Sequence, residues 1–518
     1  MNSEQPHVFV IHGDLTALAC DAVMVPTDAR LSVKAHWHGI VPEHSRLAEL
    51  PELHGFRQEK VLAHVLDPSL TDPDGPLRVL TAVPLNGFTS VDQLRPRIGA
   101  FIEAAVTRIP AHRESTLGSG QLRALPLVAM PLFASGGGGG GWIRTTIIDG
   151  ILASAREFAL HHRVDVALVL PKEPDAALAQ QRRRQAGSTS WTALEPRLVE
   201  VARRLARHAL ADRMVPFMGA GVSMSAGAPN WSSLLEELGK RAGLDAATTG
   251  ALFDGRIGPL DQASFLQRQF ADGEFRSLVA KLVERDRYGL APALLASIAD
   301  EQAITLNYDT LFEQASAAAG RPRRVISGPD DAGLSVDQLS LPDRWLLKLH
   351  GSSTHPDSIV LTRDDYLGFA SDRSALSAIV KANLLTRHLL FVGFGLADDH
   401  FHEIMHDVKR AVGRSATSAT AVTLFDDPLS DGLWGDSLTV IPMLVERSSA
   451  DALPRAARTL ELFLDVLAAY SIDSESYLRK PEYEEGLTES ERRVRALLLA
   501  LETESGRHYT PRPVADTP

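Results

Sequence analysis

Three apolar runs in this chain of 518 residues end in side chains able to bind or move protons. Asn307 and Asp309 follow Ile304-Thr-Leu306. His350 and Ser352 follow Leu346-Leu-Lys-Leu349, and Gly393, Gly395 and Asp398 follow Leu389 to Val392. A histidine accepts a proton close to neutral pH. A carboxamide holds a hydroxyl or a water without adding charge. A carboxylate such as Asp309 orients neighbours or favours a developing positive charge, and a buried structural role fits it equally well. Taken singly, Asn307 reads as a turn residue and His350 as a satisfied core histidine. In an open parallel sheet, however, ligands sit outside the carboxyl ends of the strands, so polar residues directly after buried runs carry extra weight.

A fourth run, Val215 to Met218, leads into Gly219-Ala-Gly-Val-Ser223, with Gly227 and Pro229-Asn-Trp231 beyond it. A strand, a glycine turn and a helix start present backbone N–H groups to a pyrophosphate. The expected ligand contacts are Gly219, Ala220, Gly221, Val222, Ser223, Asn230 and Trp231, joined by Gly393, Gly395 and Asp398. The spacing departs from the usual dinucleotide fingerprint, whose third glycine falls three residues after the second. No acidic residue closes a strand about 20 residues on to grip a ribose. A hydride-transfer dehydrogenase is disfavoured. The competing reading is a turn needed only for tight strand-to-helix packing.

Two α/β units must position these residues. The first alternates strand patterns at His7–Ile11, Asp21–Val25, Leu77–Val83, Leu122–Phe133 and Val164–Leu170 with helical patterns at 91–106 and 143–162. The second begins with a helix at 194–210. Its strands are expected at 214–218, 303–306, 345–349, 389–392, 419–425 and 438–443, with only helical patterns over 232–300 and a closing helix near 450–470. The expected division is an α/β domain over 1–172, a polar linker over 173–193, a second domain over 194–475, and a C-terminal helix and disordered tail over 476–518. The basic run Gln181-Arg-Arg-Arg-Gln185 reads as part of the solvated linker.

Composition narrows the function classes. A net charge of −12 does not suit a protein whose main task is gripping nucleic acid. The single cysteine, Cys20, excludes a disulfide framework and any zinc site built on paired cysteines. No apolar run is long enough to span a bilayer, and Met1 to Pro6 carries no secretory pattern, so a cytoplasmic protein is expected.

The set Gly-Ala-Gly-Val-Ser, Thr305-Leu-Asn-Tyr-Asp309, Lys348-Leu-His-Gly-Ser352 and Gly393-Phe-Gly-Leu-Ala-Asp398 resembles the sirtuin-type NAD-binding fold. It is most similar to the branch in bacterial antiviral NADases of the Thoeris type. Pro229-Asn-Trp231 and Ile359 to Tyr366 resemble that branch too, and the likeness covers roughly 195–470. It implies a sirtuin-like, Rossmann-type parallel sheet with a helical insertion. It also implies NAD as a substrate cleaved to nicotinamide and ADP-ribose or a cyclic product, Asn307, His350 and Asp309 in catalytic roles, and a homo-oligomer. Asn307 would hold a ribose hydroxyl or the attacking water, and His350 would accept the proton. Sirtuin deacylases carry a four-cysteine zinc module, which one cysteine cannot build, so no zinc is expected.

Gly13-Asp14-Leu-Thr16 and Asp21-Ala-Val-Met-Val-Pro-Thr-Asp28 are similar to the opening of macro domains, which bind ADP-ribose. Six consecutive glycines from Gly136 to Gly141 precede a helical pattern, as a phosphate cradle would, although a flexible low-complexity loop reads the same way. Asp14, Asp28, Gly136, Gly137, Gly138 and Gly139 are the candidate sensing residues, for an ADP-ribose-like nucleotide or a phage-derived trigger. Three classes remain open: a regulated NADase, an NAD-dependent deacylase or ADP-ribosyltransferase, and a non-catalytic nucleotide sensor.

Overall fold

The computed structural model describes residues 4–72, 74–116, 123–134, 144–298, 301–328, 344–394, 402, 406, 419–435, 438–445, 451–472 and 475–505. The chain divides into two units. Unit 1 comprises residues 1–203, 318–320 and 461–518, and unit 2 comprises 204–317 and 321–460.

Unit 1 is built on six strands: β1 (Val8–His12), β2 (Ala22–Thr27), β3 (Ala63–Val65), β4 (Leu77–Ala82), β5 (Leu127–Pro131) and β6 (Asp165–Leu170). Their order is β1-β6-β5-β2-β4-β3, parallel except for β3. The central strands are buried on both faces, which is why they read as continuous apolar runs rather than as alternation. Helices Leu94–Thr116 and Arg144–His162 supply Ile98, Phe101, Ile148 and Ile151 to the core.

Residues 173–193, expected as a linker, are a helix over Glu173–Gln185 followed by a short 3-10 turn, and Ala176 to Ala179 are buried in the unit 1 core. The arginine run is not a solvated face either. Arg183 is 2% exposed and donates to Asp465. Asp465 also meets His7 Nε2 at 2.8 Å, and the Arg183 guanidinium lies 4.2 Å from the Trp191 ring centroid. Composition marked a charged run as solvated, but a buried cation is tolerated when every donor finds a partner. That partner is 282 residues away in sequence. The C-terminal segment likewise belongs to unit 1: Tyr477, Tyr483 and Leu487 are buried in its core, and the helix Glu489–Ser505 is tied down by Glu491, which accepts from Tyr477 (2.7 Å) and Arg182 (3.2 Å).

Unit 2 carries seven parallel strands: β7 (Met214–Met218), β8 (Gln302–Thr305), β9 (Arg324–Ile326), β10 (Trp345–Lys348), β11 (His388–Val392), β12 (Ala419–Phe425) and β13 (Thr439–Leu444). The order β13-β12-β11-β7-β8-β10-β9 places β7 where the chain changes direction across the sheet. In doubly wound sheets the crevice forms at such a switch point. β9, only three residues long, was not foreseen. Residues 231–297 form five helices, as the helical patterning implied. Leu234, Leu238, Leu266 and Val279 give this cap its own small core, which also takes in Tyr308, Ile359 and Leu361.

Candidate functional site

The turn after β7 is a backbone-to-backbone contact. Gly219 N–H donates to the Val392 carbonyl and Gly221 N–H to the Gly393 carbonyl, both at 2.9 Å. A Cβ at Gly219 would lie 2.6 Å from the Gly393 oxygen, and one at Gly221 2.7 Å from the Gly393 Cα. Gly393 itself sits at φ +67°, where its own Cβ would lie 2.5 Å from Val222 N. Side chains are excluded at all three positions by sterics, so two strand-end loops interlock here. This commits most of the turn's donors. The N–H groups of Gly221, Val222 and Ser223 go to the carbonyls of Gly393, Gly219 and Ala220, while Ala220 N–H has no such partner among the described residues. A pyrophosphate cradle of successive free N–H groups is therefore not what this turn offers.

Beside the turn, a polar chain links three of the expected residues. Ser223 Oγ donates to Asp309 Oδ2 at 2.7 Å, and Asn307 Nδ2 donates to Ser223 Oγ and to the Gly219 carbonyl, each at 3.0 Å. The Gly219 oxygen can only accept, which fixes the amide orientation. Both amide hydrogens are spent, and Asn307 Oδ1 has no donor among the described residues, so it is an acceptor available to a ligand. Asp309 Oδ1 accepts from Leu311 N–H at 3.0 Å, at the first residue of the helix Leu311–Ala318. Ser223 and Asp309 are buried at 3% and 7% exposure.

His350 follows β10 and is 2% exposed, with the Tyr366 ring 5.3 Å away and the Phe369 ring 6.2 Å away. Gly351 at φ +87° turns the chain immediately afterwards, and a Cβ there would meet the Ser358 carbonyl at 2.1 Å. Below these loops Lys348 is fully buried. Its Nζ donates to the carbonyls of Tyr308 (3.2 Å) and Asp309 and to Glu313 Oε1 (2.7 Å). Burial pushes the Glu313 carboxyl above its ordinary range against the opposing pull of Lys348.

These side chains line a cleft of about 880 Å³, bounded by the carboxyl ends of β7, β8 and β10 and by the helical cap. Of the sequence-derived candidates it gathers Gly219, Ala220, Ser223, Asn230, Trp231, Asn307, Asp309, His350 and Gly393. Gly221 and Val222 do not line it, and Val222 is buried at 1% exposure. Asn230 Oδ1 accepts from Ser233 N–H at 2.9 Å as the N-cap of helix Trp231–Arg241, and Trp231 Nε1 is buried without an acceptor. Gly395 and Asp398 lie outside the described residues. Arg363 and Tyr366 also line the cleft and were not among the candidates. Arg363 is held by Asp261 at 2.9 and 3.1 Å, and the helix it opens starts with a Thr362–Asp365 capping box, a signature present in the sequence. The cap residues Pro259 and Gln262 follow no strand and gave no signal.

The unit 1 candidates behave differently. Asp14 Oδ1 accepts from both the N–H and the hydroxyl of Thr16 at 2.8 Å, and Asp28 Oδ1 accepts from the N–H groups of Arg30 (3.0 Å) and Ser32 (3.1 Å). Both close local turns at the surface. Gly136, Gly137, Gly138 and Gly139 lie outside the described residues. Among the described residues no group of three or more His, Cys, Asp or Glu could hold a metal ion, and no helix is long and apolar enough to cross a membrane.

Residues 301–437 match the family described as the SIR2-like domain, so unit 2 carries a SIR2-like domain. Within that class the chain is 28% identical over 200 residues to the "NAD(+) hydrolase ThsA" of Enterococcus faecium, covering 37% of this chain and 39% of that protein. It is 27% identical over 214 residues to the ThsA of Bacillus cereus, covering 40% and 42%. It is 24% identical over 222 residues to "Defense-associated sirtuin 2" of Bacillus subtilis, covering 42% and 21%. The chain thus matches about two fifths of the length of these ThsA relatives. A macrodomain of Oceanobacillus iheyensis aligns with 35% of this chain and 92% of its own, at 13% identity and a TM-score of 0.27.

Proposed function

We propose that the chain is an NAD glycohydrolase whose activity is set by its N-terminal unit. The observation that carries the reading is the convergence of Ser223, Asn307 and His350 in one cleft at the switch point of a SIR2-like sheet. The cleft volume suits a dinucleotide. In the reaction a water oxygen bonds to ribose C1′, the C1′–N bond breaks, nicotinamide leaves neutral, and the water's proton passes to His350. Asn307 Oδ1, the free acceptor, holds the water or a ribose hydroxyl as the oxocarbenium-like centre develops. Asp309 acts through Ser223 and the loop rather than on the substrate. Ala220 N–H remains for the phosphates, whereas Ser223, expected on the pyrophosphate, spends its donors on Ala220 and Asp309 and acts by holding Asn307. Gly395 and Asp398 are kept as proposed contacts for the far end of the nucleotide.

The name of one relative, "Defense-associated sirtuin 2", supports a defence role, and the proposal extends it to an antiviral effector acting in the cytoplasm. A free NADase would deplete its own host, so unit 1 is proposed to sense an ADP-ribose-like nucleotide or a phage-derived trigger through Asp14, Asp28 and Gly136 to Gly139, with a homo-oligomer as the active form. The test is direct. Purified protein mixed with NAD, with and without ADP-ribose-type ligands, should release free nicotinamide without any acetylated peptide. A strict peptide requirement would select the deacylase reading. No release under any condition would leave a binding protein.

A further inference from the structure

Lys348 has no role in the chemistry just described, yet it sits at its centre. It closes β10 in register with Thr305, the last residue of β8, and precedes His350 by two residues. Its side chain is fully buried, and its ammonium reaches across to the next strand's loop, where it takes the successive carbonyls of Tyr308 and Asp309. The third donor goes to Glu313 on the helix whose first N–H donates to Asp309. One cation thus ties the loop that carries Asn307 to the end of the strand that His350 follows.

We infer that Lys348 is a positioning residue: its bonds to the Tyr308 and Asp309 carbonyls set the Asn307–Asp309 loop, and through it the direction in which Asn307 Oδ1 faces the cleft. This rests on the proposed NAD cleavage for its catalytic consequence, but not for its structural one. A trans peptide points its N–H opposite its C=O, so pinning two consecutive carbonyls downward fixes both peptide planes of the loop. An apolar side chain of similar length would fill the space and leave those planes free to rotate. The alternative is that Lys348 only neutralises Glu313. Replacing both members of a buried ion pair by neutral groups of similar volume is often harmless to stability, which separates the two roles.

The experiment compares Glu313→Gln, Lys348→Met and the double variant in the full chain. Glu313→Gln keeps the carbonyl bonds and should release nicotinamide within about threefold of the parent rate. The double variant, which leaves the two loop carbonyls without their donor, should melt below the parent but stay folded at the assay temperature, and lose at least a hundredfold in kcat with KM changed by less than about threefold, because misplacing a reacting group by an ångström costs on that order. Backbone amides of residues 306–311 should exchange with deuterium at least tenfold faster in the double variant. That readout needs no NAD, so it separates failure of this inference from failure of the NADase reading. Parent-like exchange across 306–311, or a double variant that turns over like the parent, would overturn the assignment.

Discussion

The two sheets of this protein spend their polar residues differently. In unit 2 the side chains after β7 and β8 are held by short bonds to one another and, with His350 after β10, still face a common cleft. In unit 1 the charged residues near the strands are consumed in tying distant chain segments together: Asp465 to His7 and Arg183, Glu461 to Arg123, Glu491 to Arg182. The difference teaches how to weigh a polar residue at a strand end. One that caps its own turn, as Asp14 does, has a role in local structure. One whose donors are all used but whose acceptor is left over, as in Asn307, can also meet a ligand.

The largest effect separating the units should come from Asn307→Ala. Loss of the oriented acceptor is expected to cut nicotinamide release by at least about a hundredfold, with only a modest change in melting temperature. His350→Ala should fall similarly if it takes the proton. The converse break is Asp465→Ala in unit 1. It leaves Arg183 buried without its carboxylate and should cost about 3–5 kcal/mol in unit 1 stability by denaturant melts. A loss confined to catalysis there would undo the contrast.

Gly393→Ala tests the interlocked turn. A Cβ in the left-handed region against Val222 N should destabilise unit 2 by about 2–3 kcal/mol and weaken NAD binding with it.

A pH effect of similar size belongs to His388, stacked 4.2 Å from His208. Burial first, and then the neighbouring His208, lower its pKa to about 4. The neutral form is favoured in the folded state. Its contribution is therefore complete above the unfolded value near 6.5 and is lost as pH falls from there towards 4. The loss should be on the order of 2–3 kcal/mol and should be absent in His388→Asn. An unchanged slope in that variant would reject the assignment. The smallest change is Asp14→Ala, which removes a turn cap worth about 1 kcal/mol and should leave unstimulated turnover untouched.

Much of the site was legible because parallel strands buried on both faces appear as short apolar runs, and the residues just beyond them are the ones a ligand meets. Met214–Met218 and Ala419–Phe425 coincide with their expected limits for this reason. What the sequence hid was long-range partnership. Arg183 reads as solvated until Asp465 is placed beside it, and residues 476–518 read as a separate C-terminal helix and tail until Tyr477 and Tyr483 enter the first unit's core. A deletion of residues 1–190 would strip that segment of its partners, so regulation is better tested with point variants at Asp14 or Asp28. The glycine turn was recognised, but which of its N–H groups stay free depends on Gly393, 172 residues further on (393 − 221), and no local pattern reports that.

The most direct test of the central claim is nicotinamide release from NAD by the full chain, set against Asn307→Ala under the same activating ligand. The account predicts release by the parent and a drop of at least about a hundredfold in the variant, at unchanged fold. Equal release from both proteins would contradict it.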